Sequence, residues 1–258
     1  MSSSRKHRPH ISFLLYFFPL IASAIVNMDA LHFDNQKDTF STDLDLTISG
    51  SSGNSDQNKT ALNGQFTWVA EKSINLAVLG YKYGKSNDIK TVNKAFIHYR
   101  YIHQLSDVMD LELFTQLEKN EFTRLSYRGL VGTGLRFAVQ STSHHRAFIG
   151  TGLFYSKEKI EFVSGLTDDG IEELNRANLY LLSKFKINPT LSFSNVIYYQ
   201  PHLSRFSDYR ALLESKFDFK INKNLSFRLS IDVSHDSEPS QTIESTDTSY
   251  MTGLKFNF

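Results

Sequence analysis

The sequence predicts an antiparallel transmembrane β-barrel of about twelve strands behind a secretory leader, and three observations carry that prediction. Apolar and polar residues alternate with a period of two along segment after segment, which gives strands one apolar and one wet face. Short and longer connections take turns down the chain, as in outer-membrane barrels with tight periplasmic turns and longer outer loops. The chain ends on an aromatic strand and begins with a basic, then apolar, stretch.

At the start, Arg5, Lys6 and Arg8 precede an apolar run over 11–20, and Ala22-Ser23-Ala24 supplies the small residues that a signal peptidase reads. The competing reading is an uncleaved helical anchor. The apolar stretch 11–26 contains Pro19 and is shorter than the roughly 20 residues of a helical span. Residues 1–24 are therefore expected to be a cleaved signal peptide, 25–40 a short periplasmic segment and 41–258 the barrel.

Strands are then expected near 42–50, 59–70, 74–84, 92–104, 108–118, 126–140, 146–156, 174–187, 190–200, 208–221, 225–235 and 246–258. The clearest is 208–221, where Ala211, Leu213, Phe217 and Phe219 alternate with Arg210, Glu214, Lys216 and Asp218; no helix separates those two sets. The next strand repeats the pattern with Leu225, Phe227, Leu229, Ile231 and Val233 on the apolar face. The third is ambiguous, because Ile74, Leu76 and Val78 argue for one face and Leu79, Tyr81 and Tyr83 for the other. A β-bulge would reconcile them. Short connections fall at 71–73, 105–107, 188–190 and 222–224, and longer ones at 51–58, 119–125, 157–173, 201–207 and 236–245, with room for a turn or two of helix at 168–175. Strands of this length suit a tilted crossing that needs about 9 to 11 residues.

Composition excludes several classes of chemistry. With 28 basic against 27 acidic residues, there is no basic excess of the kind that nucleic-acid binding leaves. The absence of cysteine removes disulfides, thiolate metal sites and cysteine nucleophiles. No cofactor is expected. Gly132-Thr133-Gly134-Leu135 and Gly150-Thr151-Gly152-Leu153 lack the third glycine and following helix of a phosphate loop, and their parity points inward, where small residues make room for bulky neighbours. Asp56, Asp168, Asp169, Asp236 and Glu238 read as turn-forming acids of outer loops. His144-His145 lacks a nearby acidic partner for a metal site.

At the carboxyl end, Gly253, Phe256 and Phe258 resemble the β-signal presented to the barrel assembly machinery: a glycine, then aromatics three and five positions on, the second at the terminus. The surrounding stretches resemble the salt-induced outer-membrane protein family, predicted barrels without an established molecular function. The resemblance rests on Gly50-Ser51-Ser52-Gly53-Asn54-Ser55-Asp56, Tyr81-Lys82-Tyr83-Gly84, Tyr127-Arg128-Gly129-Leu130-Val131-Gly132 and Asp236-Ser237-Glu238-Pro239 followed by Thr246-Asp247-Thr248. It implies an outer-membrane location, with lipid and lipopolysaccharide around the barrel, and supplies no activity.

Two functional readings follow. Inward parity collects Arg128, Arg136, Arg210 and Lys216 with Glu214 and Asp218, within a set of lumen charges that reads as mixed but positive. Such side chains either interlock and plug the barrel or line a narrow pore that favours anions. The expected role is accordingly envelope-structural or stress-adaptive, and not enzymatic. The enzymatic alternative is a lipid acyl hydrolase, with His235 and Ser237 on the lipid-facing parity and Glu244 across the hairpin as orienting partner.

Overall fold

The computed structural model describes residues 39–52 and 56–258. The expected leader 1–24, most of the segment 25–40 and Gly53-Asn54-Ser55 lie outside the described residues. Twelve strands run in sequence: β1 Thr39–Ser51, β2 Gln57–Ala70, β3 Ser73–Ser86, β4 Ile89–Gln104, β5 Met109–Asn120, β6 Leu125–Ser141, β7 His145–Ile160, β8 Gly170–Lys186, β9 Leu191–His202, β10 Arg205–Lys220, β11 Leu225–Asp236 and β12 Thr246–Asn257. Each pairs antiparallel with its sequence neighbours, and β12 returns to β1 to close the barrel. The first strand begins at Thr39, inside the segment expected to be a lead-in.

The alternation seen in the sequence decides the two faces. Leu62, Leu113, Leu117, Val131, Leu153, Leu179, Ile197 and Leu254 stand exposed on the outer wall, a membrane-facing apolar band. Their neighbours in sequence point into the lumen. A row of rings, His145, Phe185, Phe193 and Phe217, stacks along the outside near the turn end with successive centroids 4.0, 6.3 and 4.6 Å apart, the aromatic girdle expected at an interface.

Two expectations about elements are corrected. The strand β3 carries no bulge between Ile74 and Tyr83, since its register with β2 runs unbroken from Ser73 to Ser86. Both of its faces are apolar because Ile74, Leu76 and Val78 are buried inside the barrel while Leu79 and Tyr81 face out. No helix forms at 168–175, where β8 has already begun. The only helix among the described residues is the single turn Glu121–Thr123.

Connection lengths alternate less than expected, because the strands outrun the apolar band. At 87–88 a two-residue hairpin has Asn87 and Asp88 both at positive φ, as a type I′ turn requires. The connection at 203–204 is equally tight, since β9 and β10 reach His202 and Arg205. Between β7 and β8 the ladder continues through Lys157 opposite Glu173, an exposed ion pair of 2.9 Å. Outside the apolar band a polar outer face no longer marks the end of a strand.

The closing pair is the shortest ladder. The register of β1 with β12 runs only over Asp43–Asn257, Leu44–Phe256, Asp45–Lys255 and Leu46–Leu254, extended at the turn end by reciprocal bonds between Thr42 and Phe258. Both strands continue toward the loop end without sharing further rungs, although β2 stays paired with β1 up to Ser51.

Candidate functional site

The lumen is the candidate site, and it is packed. In the half nearer the turns, Ile74, Leu76, Val78, Ile102, Phe148, Tyr180, Leu182, Val196, Tyr198 and Leu212 form one buried apolar cluster contributed by β3, β4, β7, β8, β9 and β10. Thr67, Asp110, Arg136, Arg228 and Lys255 on the other strands are buried as well. Glycines let the rings in: a Cβ on Gly150 would lie 2.0 Å from the Tyr180 ring, so the inward glycines read from the sequence are packing positions.

Charges enter this core only with partners, as burial demands. Arg136, with 0% exposure, donates from Nε and Nη2 to Asp110 Oδ2 at 2.9 and 2.6 Å and lies 4.4 Å over the Phe148 ring. Arg100 reaches Glu112 at 3.1 Å, and the same carboxylate oxygen accepts from the Tyr180 hydroxyl at 2.8 Å. Nearer the loops, Arg176 is held by Asp208 at 2.6 Å and by the carbonyls of Gln200 and Asp208.

Toward the loops the lumen carries a ladder of charges. Arg128 bridges Glu118 at 2.5 Å and Glu158 at 2.8 Å. Arg210 grips Glu158 through both terminal nitrogens, at 2.8 and 3.0 Å, and reaches Asp236 at 2.9 Å. On the turn side of this ladder, Lys216 pairs with Glu214 at 2.5 Å, and Arg228 spans Asp218 at 2.6 Å and Asp45 at 2.7 Å. The six lumen charges named from the sequence, Arg128, Arg136, Arg210, Lys216, Glu214 and Asp218, all point inward into such pairs.

Sequence reasoning missed the acids that balance them. Glu158, Asp208 and Asp236 bind lumen arginines, so the positive excess expected inside is reduced. The sequence pattern puts Glu158 in the 157–173 connection and Asp236 in the 236–245 connection. Extending the parity of Phe154 and Ser156, or of Arg228 and Asp232, by one more step would have found both.

Over the mouth, three connections meet on Arg124, a residue in the left-handed conformation (φ 56°) after the helical turn. Its guanidinium donates to Asp168 at 2.7 Å, to the Glu161 carbonyl at 2.8 Å and to the Gln241 carbonyl at 3.2 Å. The Gln241 amide donates to the other Asp168 oxygen at 2.6 Å. The β5–β6 and β11–β12 connections stand on opposite sides of the ring, so the 237–245 loop crosses the mouth to reach Arg124. Burial works against the charge on Asp168, but the bonds from Arg124 and Gln241 outweigh it and hold the pKa below the ordinary aspartate value. Two cavities remain in the barrel. One of about 160 Å³ lies beneath this loop, and one of about 130 Å³ lies deeper, against β1 and β12.

The proposed hydrolytic trio is not brought together. His235 faces outward as expected, but its Nδ1 pairs with the Thr246 hydroxyl at 2.8 Å and its ring packs on Tyr209 at 5.4 Å. The Ser237 hydroxyl donates to the Ser207 carbonyl at 2.9 Å and accepts from the Tyr209 amide at 2.7 Å, clipping β10 to the end of β11. Glu244 lines the upper cavity instead. The physical reason is the turn at 236–239, where Asp236 accepts from the Glu238 amide and carries Ser237 back toward β10. His145 bonds Ser183 at 3.1 Å, and His144 lies 2.9 Å from the Ser143 hydroxyl. Among the acids of the outer connections, Glu238 pairs with Arg205 at 2.6 Å.

The terminal residues singled out in the sequence lie on the seam. Phe256 faces Leu44, and Phe258 is exposed on the outer wall. Gly253 sits where a Cβ would come 2.5 Å from the Thr47 hydroxyl.

Among solved structures, the chain is similar to the NanC porin, with TM-score 0.50 and 12% identity over 84% of this chain and 98% of that one. It also matches the translocator domain of autotransporter NalP from Neisseria meningitidis, with TM-score 0.47 and 10% identity over 85% of this chain and 87% of that chain. A third match is the KdgM porin, with TM-score 0.42 and 12% identity over 85% and 99%. At these identities the likeness to NanC speaks for the barrel fold alone. No curated protein matches the chain in sequence. The family described as "Protein of unknown function, DUF481" matches residues 44–258, the barrel from within β1 to its end, and the chain belongs to that family.

Proposed function

We propose that this protein is an integral outer-membrane barrel with an envelope-structural or stress-adaptive role, and that its lumen is closed to small solutes. The apolar outer wall and girdle support the location. The buried cluster together with the Arg136–Asp110 and Arg100–Glu112 pairs supports closure, because a conducting path needs hydrated side chains at every level of the lumen. The resemblance to salt-induced outer-membrane proteins supports the stress-adaptive part.

A second reading is a narrow pore with an anion preference, favoured by the two cavities, the deeper of which reaches Asp43, Lys216 and Arg228 on the turn side. Single-channel recording of the refolded protein in planar bilayers under a salt gradient separates the two. The sealed barrel gives no conductance steps. Reproducible steps would establish the pore instead, and their reversal potential would report whether the arginines and lysines select anions. A hydrolase has no support in the geometry, since His235 and Ser237 are engaged elsewhere.

A further inference from the structure

We propose that the loop half of the seam between β1 and β12 is a lateral port, through which the polar head of a single-chain zwitterionic amphiphile enters the barrel from the surrounding leaflet. The first observation is the ladder itself. Rungs stop at Leu46–Leu254 while β1 continues to Ser51 and β12 extends back to Thr246. The backbones are still adjacent at the next position, as the closeness of Gly253 to Thr47 shows. Beyond it, Ile48 and Tyr250 are 71% and 72% exposed, outward apolar residues no longer flanked across the seam. Strand edges without partners are disfavoured in lipid, so this stretch needs hydration or an occupant.

The second observation is what lies behind the gap. The deeper cavity is lined by Thr47 of β1 and by Met251 and Gly253 of β12. Its about 130 Å³ is room for on the order of ten waters, comparable with a small lipid head. The apolar cluster walls it on one side, through Val78, Val196, Tyr198 and Leu212, and it reaches Asp43, Lys216 and Arg228 toward the turns. Above, the crossing loop covers the mouth. The seam is therefore the side on which the cavity meets the membrane.

Charge chemistry selects the head. Asp45 and Asp232 line the cavity, and each has one buried carboxylate oxygen without a hydrogen-bond partner, which asks for a donor such as an ammonium. Lys82 stands on the same wall, 3.9 Å from Asp232, beyond a direct hydrogen bond and placed to meet a phosphate. A head carrying both signs answers both, and its single chain would trail out past Ile48 and Tyr250.

The test uses the mature protein in nanodiscs and spin-labelled lysophosphatidylethanolamine, reading the motionally restricted fraction by electron paramagnetic resonance. Wild type should restrict the probe, and Asp45→Asn with Asp232→Asn should weaken binding by about tenfold or more. Because the chain has no cysteine, Ile48→Cys with Thr252→Cys places a single disulfide across the seam one position beyond Thr47 and Gly253. Oxidation should abolish restriction and reduction restore it. Met251→Trp, which fills the cavity mouth without needing the disulfide, should have the same effect as oxidation. Restriction that survives both closures would overturn the port, as would a wild-type barrel that restricts no probe or that instead pairs its open edge with a second copy. Channel silence or conductance leaves these outcomes unaffected, so this inference and the sealed-lumen reading fail separately.

Discussion

Lys255, on the last strand, reaches Asp43, on the first, at 3.0 Å, and this contact lies inside the barrel, running diagonally between two of the four rungs that close it. The Asn257 side chain donates to the same aspartate. The covalent ends of the barrel are thus joined by charge as well as by backbone.

Replacing Asp43 with alanine removes the 3.0 Å ion-pair partner of the buried Lys255. A stability loss of about 1–3 kcal/mol is expected, seen as a lower temperature for the heat-induced mobility shift on gels. The exposed pair Lys157–Glu173 is the control, and Lys157→Ala should change stability by less than about 1 kcal/mol. Equal effects would deny the seam its role.

Arg136→Ala should be among the most damaging substitutions in the lumen. It strands Asp110 and removes the cation over Phe148, at about 3–5 kcal/mol. Replacing both partners by leucine should recover most of that loss, because no buried charge then remains. Urea titration of the refolded barrels measures both. A double variant no more stable than the single one would show that the pair does more than satisfy its own charges.

Asp168 sets the pH range of the cover over the mouth. Its folded pKa lies below the unfolded value, so its contribution is present above the unfolded pKa, near 3.9, and is lost as pH falls through the still lower folded value. The crossing loop should stay docked at neutral and mildly acidic pH and release only in strong acid. Asp168→Asn should release it at neutral pH. Hydrogen exchange at the Gln241 amide reports docking; slow exchange in the variant would contradict the latch.

Phe258→Ala should lower the amount of folded, heat-modifiable protein in the outer-membrane fraction, because the substitution removes the terminal aromatic ring of the β-signal while keeping the backbone bonds to Thr42. Unchanged yield would count against the signal.

Legibility in the sequence followed what faces lipid. Wherever one face had to be apolar and the other wet, as in β10 and β11, period and register could be read directly. It failed where the lumen departs from water. Ile74, Leu76 and Val78 look like a misplaced outer face until the apolar cluster inside is seen. It failed again above the membrane, where Lys157 and Glu173 continue a ladder without any apolar pattern to mark it. Site residues were legible one at a time by parity, whereas pairings such as Arg210 with Glu158 depend on strands far apart in the chain. The hydrolytic trio failed for a local reason, since spacing does not reveal that Ser237 turns back to bond Tyr209.

The doubly apolar face of β3 also matters before the barrel exists. The run Ile74-Asn75-Leu76-Ala77-Val78-Leu79 has no charge, no proline and strong strand character, which is the composition of a self-associating segment. In the finished protein one side is in lipid and the other in the core; in an unfolded chain crossing the periplasm both sides meet water. The residues that seal the mature barrel are the ones most in need of a chaperone's cover during transit.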